Sequence, residues 1–345
     1  MEKKSNSNIT RSDVYRKLES LSAKGQIPEK YDLILKDFFN SYLAVLDSSG
    51  QDSKKALSIF DMFFDLITEQ IKKPFAFEPY HKRIRKPFDY YAFGLNFIRP
   101  LIDLPHSTIL GRDSLSTIAQ QLGQGENVIL FANHQIEADP QVISILLEKI
   151  YPKIGEEMIF VAGSRVISDP FAIPFSMGCN LLCIHSKKYI DNPPDLKHEK
   201  QLHNKRTMEK MVQLLHEGGH AIYVAPSGGR DRANKQGIIE LAPFDPQSVE
   251  MVYLMAKKAK KPTHFYTLAL STYHILPPPE TTKIELGETR ISGGGAVHIA
   301  FSEEVDMECF PGYDKMIDKR ELRKKRADYL WNIVKKNYDK FLEED

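Results

Sequence analysis

His134 and Asp139 stand five residues apart in the segment NHQIEADP (133–140). An aspartate fixed at a helix start can accept the imidazole N–H, orient the ring and stabilise the imidazolium. The histidine is then free to take a proton from an attacking hydroxyl. The ordinary pKa of histidine, near neutrality, suits that work. A plainer reading competes: Asp139 fits the N-cap, Pro140 the first helical position, and His134 is an incidental loop residue. For an isolated His-x4-Asp pair the plainer reading is the commoner one. A second segment, APSGGRDR (225–232), pairs two glycines with Arg230 and Arg232. Such glycines let backbone N–H groups approach a ligand, and arginines grip phosphate as a fork. Alone it also reads as a surface turn with solvated charges. SKKY (186–189) adds Lys187 and Lys188, which matter only if the fold points them at the same place.

One match is rejected. His216-Glu217-Gly218-Gly219-His220 satisfies the HExxH pattern of zinc proteases, but that chemistry needs both histidines on one helix face. The two glycines are a helix stop, and the residues from His220 read as the next strand. No Gly-Lys-Ser/Thr follows a glycine-rich turn, so there is no P-loop.

The elements that must position these residues are visible as two textures. Over the first seventy or so residues, apolar side chains recur at three- and four-residue steps, as in Leu57, Phe60, Phe63, Phe64 and Ile67. That predicts a small helical bundle ending near Lys72-Lys73-Pro74. Beyond it, short apolar runs at 128–132, 158–162, 181–184, 221–225, 265–271 and 297–301 alternate with helical periods such as 140–150 and 205–217. Strand and helix in alternation predict an α/β layer with a largely parallel sheet. His134, Arg165, Lys187, Lys188, Arg230 and Arg232 all follow predicted strands, and open α/β sheets bind ligands beyond their strands' carboxyl ends. A base and several cations therefore converge on one rim, a site for an anion.

Composition narrows the partners. The 345 residues are 42% hydrophobic and 27% charged with a net charge of +1, which argues against a general nucleic-acid binder. No apolar run approaches the roughly eighteen residues that a membrane helix needs. The start, MEKKSNSNITRSDVYRK, is basic and serine-rich without an apolar core, and reads as a solvated terminus in preference to a transit-peptide remnant. Cys179, Cys183 and Cys309 are too few and scattered for a disulfide framework and fit reduced thiols in a reducing compartment.

NHQIEADP resembles the His-x4-Asp block of the glycerolipid acyltransferases. The chain is similar in particular to the soluble, plastid-type glycerol-3-phosphate acyltransferases. The likeness is carried also by KPFDYYAFGLNFIRPLID (86–103), IFVAGSRVISDPF (159–171), APSGGRDR and the prolines at 277–279. The resemblance implies a helical domain over 1–74, then an α/β acyltransferase domain over 75–345 with a mixed, largely parallel sheet. It implies His134 as general base, Asp139 as its partner, and Lys188, Arg230 and Arg232 as the pocket for the substrate phosphate. The family has a histidine where this chain has Tyr189. The wider membrane-bound superfamily has a glutamate where this chain has Ser227, so neither role is carried over. The implied reaction moves a fatty acyl group from acyl carrier protein or coenzyme A to the sn-1 hydroxyl of glycerol 3-phosphate, without metal or bound cofactor. The setting implied is the cytoplasm, with the plastid stroma as alternative, and product delivery implies peripheral membrane contact. A carrier-protein donor would need a basic docking face, for which 197–206, 257–261 and 319–326 are the clusters available. The rival readings are a thioester hydrolase and a phosphoanion-binding protein without transfer chemistry.

Overall fold

The amino-terminal periodicity becomes three helices, α1 (Arg11–Ala23), α2 (Glu29–Ser48) and α3 (Lys54–Lys72), in the computed structural model, which describes residues 9–186, 190–279, 287–314 and 318–343. Thr10 and Asp13 close a capping box at the start of α1. Phe60 and Phe63 of α3 are fully buried against Phe38 of α2 and Phe97 of α4 (Tyr90–Ile98). Ring centroids in this group lie 5.0 to 6.2 Å apart, in the range where aromatic pairs attract. The three helices and the residues beyond them thus share one hydrophobic core.

The remaining elements follow as β1 (Tyr80–His81), β2 (Thr108–Leu110), α5 (Arg112–Gly123), β3 (Asn127–Ala132), α6 (Asp139–Leu147), α7 (Pro152–Glu157), β4 (Ile159–Gly163), α8 (Ile173–Ser176) and β5 (Asn180–Ile184). Then come α9 (Lys197–Glu217), β6 (Ala221–Val224), β7 (Arg232–Ala233), β8 (Ile239–Glu240), α10 (Pro246–Lys257), β9 (Thr263–Ser271), β10 (His298–Phe301) and α11 (Lys319–Glu343). Among the described residues eight strands form one sheet in the order β1-β5-β4-β6-β3-β9-β10-β2. The pairings of β1 with β5 and β10 with β9 are antiparallel and the others parallel. Every residue of β3 is buried, as expected of a central strand covered on both faces.

All six predicted strands are present, with ends moved by no more than two residues. The strands that the apolar pattern did not reveal, β1, β2, β7 and β8, are only two or three residues long. The helix expected over 205–217 begins eight residues earlier, because KHEKQLHN has no apolar face and extends α9 by about two mostly exposed turns. The helix ends at Glu217, and Gly218 and Gly219 take φ of 83° and 77°. His216 and His220 therefore sit on different elements. The chain leaves β3 towards β4 and leaves β6 towards β9, on opposite sides of the β6–β3 pair. In open α/β sheets such a divergence is where ligands bind, outside the strands' carboxyl ends.

Candidate active site

His134 follows β3 with its ring partly exposed, and Nδ1 lies 2.8 Å from Asp139 Oδ2. A carboxylate only accepts, so Nδ1 carries the proton and Nε2 is left as the acceptor. The expected N-cap role of Asp139 is corrected here. Ala138 is the N-cap, Asp139 is the first residue of α6, and no side-chain cap bond forms. A turn closed by Asp139 N on Ile136 O, 3.2 Å, starts the helix one residue early, so the carboxylate reaches back to the loop. Its Oδ2 accepts from Gln135 N at 2.9 Å and Ile136 N at 3.3 Å, and its Oδ1 from the Thr272 hydroxyl at 2.6 Å. Only 1% of the Asp139 side chain is exposed, and each of these bonds holds the acceptor that aims His134.

The loop is also tied to the turn after β6. Asp231 N donates to His134 O at 2.7 Å. The Asp231 carboxylate accepts from Asn133 Nδ2 at 2.9 Å, Gln135 Nε2 at 3.3 Å and Ala242 N at 2.9 Å. Asn133 is itself pinned to Leu270 of β9, and Gln135 Oε1 accepts from Thr272 N and Tyr273 N. Neither amide can turn round, so both present N–H groups to Asp231. Burial nevertheless pushes the Asp231 carboxyl up to about 6, with the bonds from Asn133, Ala242 and Gln135 opposing it. Burial likewise lifts the Tyr223 hydroxyl, which donates to Asn133 O at 2.6 Å.

Arg230 lies on this turn, and Arg232 opens β7 just beyond it. Gly228 adopts φ of 64°, and space is open beside it and Gly229. The Arg230 guanidinium is mostly buried and bonds to Glu288 Oε2 at 2.5 Å, with Glu137 Oε1 at 3.7 Å. The other oxygen of Glu288 pairs with Arg165, which follows β4. Arg290, fully buried, reaches Glu137 at 2.9 Å and Asp169 at 3.1 Å. Burial alone would lower its pKa, but those two carboxylates outweigh it and the net shift is upward. Arg232 shifts the other way, lowered first by burial and then by the charge of Arg230. Of the predicted site residues, His134, Asp139, Arg230 and Arg232 come together at one rim, whereas Lys188 lies outside the described residues. Sequence reasoning missed Glu137, Asp169, Thr272, Glu288 and Arg290. Glu137 was signalled by its place within NHQIEADP. Nothing in the sequence marked Glu288 or Arg290, whose charged partners lie from 58 to 153 positions away.

A cavity of about 720 Å³ lined by Tyr253, Lys257, Lys260, Phe265, Met307 and Glu308 lies at the other end of the sheet. It flanks the start of β9, whereas Thr272, just past its end, touches Asp139.

The family described as Acyltransferase matches residues 114–277, a span that includes His134, Asp139, Arg230 and Arg232. A chloroplastic glycerol-3-phosphate acyltransferase of Cucurbita moschata is 38% identical over 318 residues, covering 91% of this chain and 71% of that protein. Its counterpart in Spinacia oleracea is 37% identical, covering 89% and 68%. The solved 1-acyl-sn-glycerophosphate acyltransferase of Thermotoga maritima aligns over 95% of both chains at 14% identity with a TM-score of 0.40, too loosely to support a comparison of sites.

Proposed function

This chain belongs to the glycerol-3-phosphate acyltransferase family, and we propose that it transfers a fatty acyl group from a thioester to the sn-1 hydroxyl of glycerol 3-phosphate, giving lysophosphatidic acid. The observation that supports the reading is the single bonded unit of base and arginine turn, in which Asp139 orients His134 at 2.8 Å and Asp231 joins His134 O between Arg230 and Arg232. His134 Nε2 takes the proton of the hydroxyl as its oxygen attacks the thioester carbonyl. The tetrahedral intermediate collapses, the C–S bond breaks, and the imidazolium returns the proton to the departing thiolate. Asp139 stabilises the imidazolium between the two steps. Arg230 and Arg232, with Lys188, hold the phosphate, so that the hydroxyl is delivered to the base in one orientation. The acyl enters from the donor directly, with no acyl-enzyme.

The donor is an acidic acyl carrier protein that docks on residues 197–206. These open α9 beside the carboxyl end of β5, where the His203 ring lies 3.0 Å from Cys183 O, on the rim that carries His134.

Comparing glycerol with glycerol 3-phosphate as acceptor tests the reading. The protein should acylate glycerol 3-phosphate at far lower concentration, and Arg232→Ala should raise its KM tenfold or more, as losing one charged hydrogen bond of roughly 1.5–3 kcal/mol implies. A rise confined to the KM of the acyl donor would reject the phosphate assignment.

A further inference from the structure

Arg165 and Arg230 come from different strand ends and face one carboxylate. Glu288 gives one oxygen to each, and only 2% of its side chain is exposed. With 20% and 10% of their side chains exposed, the two guanidinium groups would be strongly disfavoured near one another without an anion between them. A phosphate offers a pair of guanidinium forks the same thing a carboxylate does, two oxygens set apart on one atom. Among the described residues Arg165, Arg230 and Arg290 balance Glu137, Asp169 and Glu288, which leaves Arg232 as the further cation beside this set. A dianionic substrate added to that balanced set would meet little net attraction from it.

We propose that the Glu288 carboxylate occupies the place of the substrate phosphate between Arg165 and Arg230, and that glycerol 3-phosphate binds by displacing it. The proposal rests on the assignment of Arg230 and Arg232 to the phosphate and adds Arg165 as a third ligand. Before substrate binds, Glu288 keeps two buried arginines compensated and correctly aimed. On binding, the phosphate takes over both forks, and the cluster exchanges one negative charge for two. After transfer the product still carries its phosphate. Return of Glu288 to the arginines then competes with the product and speeds its release. Glu288 is on this account a specificity-determining residue: it sets a threshold that a dianion passes and an uncharged polyol does not.

The test measures binding of inorganic phosphate and of glycerol 3-phosphate by calorimetry, with steady-state kinetics, in the wild type, Glu288→Gln and Glu288→Asp. Removing the internal competitor should tighten inorganic phosphate by about tenfold or more, lower the KM for glycerol 3-phosphate, and strengthen inhibition by the lysophosphatidic acid product. Glu288→Asp keeps the charge on a shorter arm that cannot bridge both arginines, so it should tighten phosphate by a smaller factor, and it carries the test alone if Glu288→Gln does not fold. Phosphate affinity unchanged or weakened in these variants would make Glu288 a fixed support for Arg230 and overturn the exchange. Arg230→Ala and Arg232→Ala, measured beside them, separate the two levels. If both bind phosphate as the wild type does, the phosphate assignment itself fails.

Discussion

Asp139→Asn keeps the shape of the side chain and its bonds to the loop amides but removes the charge that the imidazolium needs. We expect kcat to fall about a hundredfold or more with little change in the thermal midpoint. Asp139→Ala should lose both, since it also leaves Gln135 N and Thr272 without their partner. Equal turnover in wild type and folded Asp139→Asn would remove the aspartate from the chemistry. Asp231 acts through stability as well. Its carboxyl sits at about 6 in the folded protein against an ordinary 3.8, so the folded state holds this proton more tightly than the unfolded chain does. Stability attributable to Asp231 therefore falls as pH rises from about 4 to 6, by about 3 kcal/mol in total. Asp231→Asn lacks that slope. Whatever its constant offset, urea titrations should show its stability relative to wild type growing across that pH window, and a flat difference would contradict the assignment. At this scale the sequence was informative where chemistry is local: His134, Asp139, Arg230 and Arg232 stood within two short segments. The cap assignment of Asp139 failed because one extra turn residue decides whether a carboxylate faces forward into the helix or back into the loop.

The segment carrying Glu288 and Arg290 is held from the amino-terminal helices. Arg290 lies over the Phe171 ring at 5.1 Å, Phe171 meets Tyr31 of α2 edge-on at 5.0 Å, and Ser292 N donates to Ser41 Oγ at 2.9 Å. A β-carbon at Gly287 would come within 2.5 Å of the Tyr31 ring. The bundle thus helps position the site. Arg290→Met should cost about 3–5 kcal/mol, because it strands Glu137 and Asp169 in the interior, and urea unfolding measures it. Burial would raise the Asp169 carboxyl, but Arg290 and the Phe171 and Gly287 amides outweigh it and hold it below 3.8. That stabilisation is present above 3.8 and lost as pH falls through the lower folded value. Arg290→Met should therefore move acid unfolding to higher pH, and an unmoved acid midpoint would contradict the pairing. The six main strands were readable because each is a buried apolar run between turn residues. The arginine–carboxylate cluster was not, since a buried charge reveals its partner only after the chain has folded.

Across the molecule, the three basic clusters separate by position. Along helix α11, Arg326 near the start bonds Met307 O through Nε at 2.9 Å, and Phe341 near the end stacks on His298 opposite Ser271. Residue 323 is about 27 Å from that second end at 1.5 Å per residue, so 319–326 lies away from His134. Its basic charge is also partly spent inside the fold, because Arg326 is buried on Glu250 and Arg323 leans on the same carboxylate. Residues 257–261 precede the start of β9, at the same far end. Reversing exposed Lys197, Lys205 and Arg206 to glutamate should therefore lower kcat/KM for a carrier-linked donor more than for a coenzyme A thioester. The carrier-linked rate should also fall steeply with salt, over a Debye length of about 8–10 Å. Equal losses with both donors would remove this face as the dock. The central claim, transfer to a phosphate-anchored hydroxyl through His134, is tested most directly by product analysis. Wild type and His134→Ala are incubated with an acyl thioester, with and without glycerol 3-phosphate, and lysophosphatidic acid and free fatty acid are quantified. Wild type should form lysophosphatidic acid only with the acceptor and release little fatty acid without it, and His134→Ala should form it about a hundredfold or more slowly. Fatty acid released at the same rate with or without glycerol 3-phosphate, or undiminished transfer by folded His134→Ala, would contradict it.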